Sequence, residues 1–284
     1  MGVTWSIRSS IPNLTLLGLS STDVQHAWMI GYNHSLYPAA DKIFASVDGG
    51  VTWQEQQPQL SGTPIPSPCT SPKVSFDHIQ FADSKNGWLM GNILCFGPNG
   101  YYVLGADLAW TTTDGGTTWT AHNTGLTSSR MTFRRMSVID AQHMRLLYVS
   151  SSSNQEMLLT SDDGGATFNN SVVDPRAQDI SFIDAAHGYL MAQAYPGGGY
   201  LLVTSDGGRT WSPIGNPAPS QIAVPANLAP GRANYYWVNV QDANHWWLSG
   251  FAGGDYVFGG LIVATSDGGI TWTVKLMGDG STPP

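Results

Sequence analysis

Short apolar runs separated by small polar corners recur along the whole chain. The runs are too brief to form the apolar stripe of a helix, and no amphipathic helical stretch of useful length interrupts them. The fourth recurrence shows the unit clearly: Leu201-Leu202-Val203, then the corner Thr204-Ser205-Asp206-Gly207-Gly208-Arg209-Thr210-Trp211. The octapeptide Ser/Thr-x-Asp-Gly-Gly-x-Thr-Trp occurs five times, at 46–53, 112–119, 161–168, 204–211 and 265–272, and only Phe168 departs at the aromatic position. Paired glycines supply the positive φ angles that a tight hairpin demands. The aspartate carboxylate is placed to accept backbone N–H bonds within its own turn, and the Trp is large enough to cover it. Asp48, Asp114, Asp163, Asp206 and Asp267 are therefore read as structural. Ser161-Asp162-Asp163-Gly164-Gly165 lacks the alternating ligands and closing Glu of a calcium loop.

A second element precedes each corner. Phe81 to Gly91 is echoed by Ser21 to Gly31, Ile183 to Met191 and Val240 to Gly250, with a worn copy from Ile139 to Val149. Each copy reads as strand, polar turn, strand, so one full repeat is four antiparallel strands. Self-similarity at this period predicts an all-β chain: a single β-propeller of four-stranded antiparallel blades over residues 1–284, with five repeats recognised and room for up to seven blades. Gly2-Val3-Thr4-Trp5 looks like the tail of a further corner. It fits a divergent sixth blade, an extra edge strand on a five-bladed ring, or a chain cut from a longer protein; five blades are the expectation.

The corners resemble the Asp-box, or bacterial neuraminidase, repeats of sialidases, xyloglucan-degrading enzymes and sorting receptors. The Asp-x-x-His-Gly-Trp strand pair is similar to that of the propellers that include photosystem II assembly factors. The resemblance spans essentially the whole chain and implies the fold. It implies either carbohydrate chemistry or the holding of a protein partner through a basic patch, and only Arg130, Arg134, Arg135 and Arg145 cluster here.

Connections between the first and second strands, and between the third and fourth, stay short in every repeat. The others swell, at Gln54 to Ser75, Asn92 to Asp107, Ala192 to Tyr200, Ser212 to Asn234 and Phe251 to Gly260. These fall at one end of every blade, where a rigid scaffold carries function. They are rich in aromatics, and Tyr101, Tyr102, Tyr195, Tyr200, Tyr235, Tyr236 and Tyr256 are the candidate ligand contacts, with Trp237 and Phe251 beside them. The expected function is a noncatalytic binding or scaffold propeller for a glycan or protein partner.

The alternative is a carbohydrate-active enzyme using a carboxylate pair. Asp41, Asp77, Asp107, Asp179 and Asp255 all lie near the variable end, and Asp77 and Asp179, which begin inner strands, are the catalytic candidates. A sialidase-like site needs three arginines, a Tyr/Glu nucleophile pair and an acid aspartate. The chain holds two glutamates, Glu55 expected on an outer strand and Glu156 in a loop, which disfavours that chemistry.

Composition narrows partners further. Charged residues make up 11% and the formal net charge is −8, which argues against nucleic acid. No run approaches the roughly 20 apolar residues of a membrane span. His26, His143, His187 and His245 recur at one turn position, so they are read as structural, and no spacing supports a metal or other cofactor. The two cysteines, Cys69 and Cys95, are either a disulfide or two free thiols. No charged segment followed by an apolar stretch opens the chain. With the resemblance, these features lead to the expectation of a monomer outside the cell or in its envelope.

Overall fold

The computed structural model describes residues 7, 9–33, 41–56, 59–61, 69, 71–96, 102–126, 132–193, 199–214, 233–254 and 257–277. Every regular element among them is a strand. The first sheet runs β1 (Leu14–Ser21), β2 (Ala27–Asn33), β3 (Asp41–Ser46), β4 (Gln54–Gln56). After β5 (Gln59–Ser61), the second runs β6 (Ser71–Phe81), β7 (Gly87–Phe96), β8 (Tyr102–Thr112), β9 (Thr118–Asn123). The third is β10 (Thr132–Val138), β11 (Met144–Val149), β12 (Glu156–Ser161), β13 (Asn169–Val172), and the fourth β14 (Ala177–Phe182), β15 (Gly188–Gln193), β16 (Gly199–Thr204), β17 (Ser212–Pro213). The fifth is β18 (Ala233–Val240), β19 (Trp246–Gly254), β20 (Val257–Thr265), β21 (Thr273–Met277). Five successive antiparallel four-stranded blades define a β-propeller fold, as the repeats predict.

The chain divides into two compact units. One comprises Met1–Met131, Val138–Met144 and Thr160–Asn169; the other comprises Thr132–Ser137, Arg145–Leu159 and Asn170–Pro284. An apolar cluster around Trp28, Phe81, Leu89, Trp110 and Trp119 forms the core of the first, and one around Met191, Tyr235, Trp246, Leu248 and Val263 that of the second.

The corners work as their sequence dictates. In all five, both glycines have positive φ, between 70° and 92°. In the second, Thr112 Oγ1 donates to Asp114 Oδ1 at 2.8 Å and accepts from Gly116 N at 3.0 Å, while Thr118 donates to Asp114 from both N and Oγ1. The strand-turn element ahead of it is organised in the same way: Asp83 Oδ1 accepts from Lys85 N and Asn86 N. Where the turn carries histidine, as at Asp23/His26, Asp140/His143, Asp184/His187 and Asp242/His245, the ring Nδ1 bonds the same carboxylate within 3.0 Å. Corner and turn are then stitched together, the first glycine N–H donating to the turn carbonyl in Gly49–Gln25, Gly115–Lys85, Gly164–Gln142, Gly207–Ala186 and Gly268–Asn244.

Successive inner strands are latched by side chains, and three of these, Ser20, Gln80 and Ser181, stand three residues beyond a β-bulge. In the first unit Ser20 Oγ accepts from Phe81 N and Gln80 Oε1 from Val138 N; in the second Ser137 Oγ accepts from Phe182 N and Ser181 Oγ from Val240 N. The register shifts fall between Leu16 and Gly18, Phe76 and His78, Ala177 and Asp179, and Tyr235 and Trp237. Leu17, Asp77, Gln178 and Tyr236 are thus the inserted residues. A bulge turns its extra side chain out of the alternation and is frequent beside functional sites.

Several expectations are corrected. Asn92 to Asp107 and Phe251 to Gly260 are mainly ladder rather than loop: β7 and β8 stay in register from Gly87↔Thr112 to Cys95↔Leu104, and β19 and β20 from Trp246↔Thr265 to Gly254↔Val257. The Gln54 to Ser75 segment contributes β5, which pairs parallel with β9 and gives the second blade a fifth strand. Glu156 opens β12 and is buried. Of the two states left open for Cys69 and Cys95, the disulfide is the one formed. The Gly2 to Trp5 segment lies outside the described residues.

Candidate functional site

Two clusters at the variable end of the blades carry chemistry, one in each unit. In the first unit, three carboxylates and an amide converge on the central strands of the second blade. The bulge turns Asp77 toward Asn92, whose Nδ2 donates to Asp77 Oδ2 at 3.3 Å. Asn92 stands directly opposite Asp107 in the β7–β8 ladder. Asp41 closes the group from β3, its Oδ2 accepting from Phe76 N at 2.7 Å and Ser75 Oγ at 2.8 Å. Gly91 lets the bulge close, because a Cβ there would sit 2.1 Å from the Ser75 carbonyl oxygen.

These surroundings disfavour negative charge. Burial, and then the charge of Asp41, push Asp77 up to about 6 against the opposing bond from Asn92. Burial and then Asp77 push Asp107 up to about 7. A protonated acid beside an ionised carboxylate is the pairing acid–base chemistry uses. Access separates the two, however, since Asp77 is half-buried while Asp107 is only 2% exposed.

In the second unit aromatic side chains of β16, β18 and β19 gather with Gln193 of β15 and Arg176, which directly precedes β14. The Tyr236 ring, on the bulge of β18, has its centroid 5.7 Å from that of Trp237 and 6.0 Å from that of Phe251, edge-to-face with the latter. Trp237 is 51% exposed and Phe251 44%. Gln193 Nε2 donates to the Tyr236 hydroxyl at 3.2 Å, and its backbone N–H donates to the Arg176 carbonyl. Arg176 lies over the Tyr200 ring, 5.7 Å from its centroid, and the Tyr200 hydroxyl donates to Asp174 Oδ2 at 2.7 Å. Burial and that bond push Tyr200 up to about 12.

The remaining candidates fall elsewhere. Tyr235 is not a surface contact: its side chain is fully buried in the core of the second unit, because the bulge at Tyr236 sends its neighbour inward. Asp179 is only 1% exposed, and its Oδ2 accepts from Val238 N at 2.8 Å while Arg135 Nε lies 3.5 Å from Oδ1. It ties β10, β14 and β18 together, and its burial corrects the expectation that it faces substrate. Nor is it equivalent to Asp77: Asp77 is itself inserted, whereas Asp179 follows the inserted Gln178. Tyr102 sits in β8 opposite Phe96. Tyr101, Tyr195, Tyr256 and Asp255 lie outside the described residues. Glu156 is bound bidentately by Arg134, at 2.9 and 2.6 Å, and Glu55 pairs with Lys42 at 2.6 Å, so both glutamates are engaged in ion pairs. Sequence reading passed over Asn92, whose cross-strand placement becomes visible only once the ladder is extended. Among the described residues no group of three or more His, Cys, Asp or Glu could hold a metal ion, and no helix is long and apolar enough to cross a membrane.

The fold defines an all-β repeat protein of the β-propeller class. No protein-family model matches the chain, and no curated protein matches it. Among solved structures it is similar to the GH74 xyloglucanase from Xanthomonas campestris, at 14% identity and TM-score 0.55 over 92% of this chain and 38% of that one. It is also similar to the Hadza microbial sialidase Hz136, at 16% identity and TM-score 0.54 over 90% of this chain and 56% of that one. YCF48 bound to D1 peptide matches at 16% identity and TM-score 0.48 over 92% and 81%. The chain thus spans well under two thirds of the xyloglucanase and sialidase chains, and likenesses at this identity bear on fold alone.

Proposed function

We propose that this chain is a noncatalytic binding propeller, a single domain Asp-box protein that acts as a monomer and recognises a glycan or protein ligand at its variable end. The observation that carries the reading is the Tyr236, Trp237 and Phe251 cluster: large aromatic rings left open to solvent on paired strands rather than on loops. Rigid aromatic surface binds sugar rings or peptide side chains at little cost in conformational entropy. Tyr200 and Tyr236 remain ligand contacts in this reading, as do Tyr101, Tyr102, Tyr195 and Tyr256. The Cys69–Cys95 disulfide supports a place outside the cell or in its envelope, since such bonds persist in oxidising surroundings.

The test is a glycan array and a peptide array probed with the intact chain, followed by titration of any hit against Trp237→Ala and Phe251→Ala. Loss of about tenfold or more in affinity with unchanged thermal stability supports the reading, since central aromatic anchors cost at least 1 kcal/mol on truncation. Unaltered binding in both variants overturns it.

A second reading, a glycoside hydrolase, is favoured by the raised Asp77 and Asp107 carboxyls. Only Asp77 is open enough to touch substrate, so aryl-glycoside turnover abolished by Asp77→Asn would reverse the order.

A further inference from the structure

The long β7–β8 hairpin is rooted in two polar residues that face each other. Asn92 and Asp107 are direct partners in the ladder, so their side chains leave the sheet on the same side with Cβ atoms about 5 Å apart. The Asn92 amide spends its donor on Asp77. Its acceptor Oδ1 is buried with no donor, and so is Asp107 Oδ2 on the opposite strand. An ionised carboxylate and an amide oxygen are both acceptors only, and leaving each unmatched in the interior is costly. A proton on one carboxyl oxygen satisfies both at once.

We propose that Asp107 carries a proton that it donates to Asn92 Oδ1, and that this proton is a latch at the root of the β7–β8 arm. The bond fixes the orientation of the amide, so that Nδ2 points at Asp77 and Oδ1 at Asp107. When the proton leaves to solvent, a second negative charge appears beside Asp77 and two buried acceptors lose their donor together. The arm above the root, Ile93–Phe96 paired with Tyr102–Ala106, then loosens. The device stands whether or not the arm touches a ligand.

The strands packed around the root carry few titratable groups. These are Lys73, Asp77 and His78 on β6, Asp41 and Lys42 on β3, Tyr32 on β2 and His122 on β9, with none on β1. Asp77 is the charge that Asp107 feels, Asp41 the charge that Asp77 feels, and His122 is engaged by Thr111 Oγ1 at 2.8 Å.

Amide hydrogen exchange of the intact chain, corrected for intrinsic rates, tests the latch. Between pH 6 and 8.5 the wild type should lose about tenfold protection over residues 93–96 and 102–106, because one buried hydrogen bond is worth about that much. Asp107→Asn supplies a permanent N–H donor and should hold its protection at both pH values. Flat protection in the wild type, or the same loss in Asp107→Asn, overturns the proposal. So does any change in protection on adding calcium, magnesium or a chelator, which would replace the proton with a cation. Should the variant not fold, carboxyl carbon NMR of the wild type decides. An Asp107 midpoint near neutrality supports the latch, and one in the ordinary carboxylate range defeats it.

Discussion

Trp28 Nε1 donates to the carbonyl of Gly115, 87 residues further along the chain, at 2.8 Å. Trp88 Nε1 donates likewise to the next repeat, but to the turn carbonyl of Asp140, at 3.1 Å. At the same place in the third blade, directly after the turn, stands Arg145. It is almost completely buried, and its guanidinium donates to Ala185 O from Nη2 at 2.9 Å and to Gly207 O from Nε at 3.2 Å. Arginine here performs the indole's task twice over, reaching both halves of the next stitched corner and lying against Phe182. Trp28→Phe keeps a ring to stack on Phe81 but leaves a carbonyl without its donor, and should cost about 1 kcal/mol. Arg145→Met loses charge-assisted bonds to two carbonyls and should cost about 3 kcal/mol. Urea denaturation orders the pair; equal costs would mean that the carbonyl bonds are not what Arg145 contributes.

The hydroxyl that opens each corner does more than its recurring partner aspartate suggests. Thr112 is buried and is the acceptor for the Gly116 N–H, itself buried. Thr112→Val preserves shape and removes that acceptor, so it should destabilise by about 2 kcal/mol, the desolvation cost of an unpaired amide. Thr117→Val offers a control, because Thr117 is exposed and its hydroxyl bonds only the Asp114 carbonyl at 3.2 Å. Equal losses in the two variants, measured by chemical denaturation, would remove the corner hydroxyl from the account.

Gly91 and Gly260 make opposite predictions from the same substitution. At Gly91 an added methyl would meet the Ser75 carbonyl oxygen at 2.1 Å and the Phe76 Cα at 3.1 Å, where the Asp77 bulge presses on β7. Backbone cannot yield as a side-chain tip does, so Gly91→Ala should cost about 3 kcal/mol. At Gly260, opposite Phe251 in β20, nothing lies within 4 Å of the added carbon. Gly260→Ala should be neutral or stabilise by about 0.5 kcal/mol through the unfolded chain. Thermal unfolding of both variants checks the contrast.

The repeats were legible because their corners are made locally. Ser46-Val47-Asp48-Gly49-Gly50 specifies its own hydrogen bonds, and the His26 and His143 turns do likewise, so blade number and strand order followed from residues close in sequence. The candidate sites were less legible for a related reason. Asn92 and Asp107 break the apolar alternation of β7 and β8, and the strand reading stopped at both, although the ladder continues beyond them. Their polarity is tolerated because they face each other and Asp77 across strands, a pairing set by register. Asp77 and Asp179 look alike in sequence, yet a one-residue bulge separates their roles. Tyr235 and Tyr236 are adjacent and aromatic, and the same device buries one and leaves the other beside Trp237.

The carboxylates should give the protein its greatest stability on the acid side of neutrality. Asp77, Asp107 and Asp179 have folded pKa values of about 6, 7 and 6, above the roughly 3.9 of an unfolded aspartate. Between those limits the folded state holds more protons than the unfolded state, so stability falls as pH rises from about 4 to 7. The corner aspartates Asp48, Asp206 and Asp267 are held down to about 2, chiefly by the hydroxyl and N–H groups of Thr52, Thr210 and Thr271. Their contribution has the opposite sign: it is complete above about 4 and is lost as pH falls toward 2. The two slopes meet near pH 4 to 5, where the midpoint of thermal unfolding followed by circular dichroism should peak. Asp107→Asn should flatten the neutral side of that curve and leave the acid side unchanged. A maximum at pH 7 or above in the wild type would show that the buried carboxyls are ionised at no cost, and that the interior around Asn92 is wetter than its packing indicates.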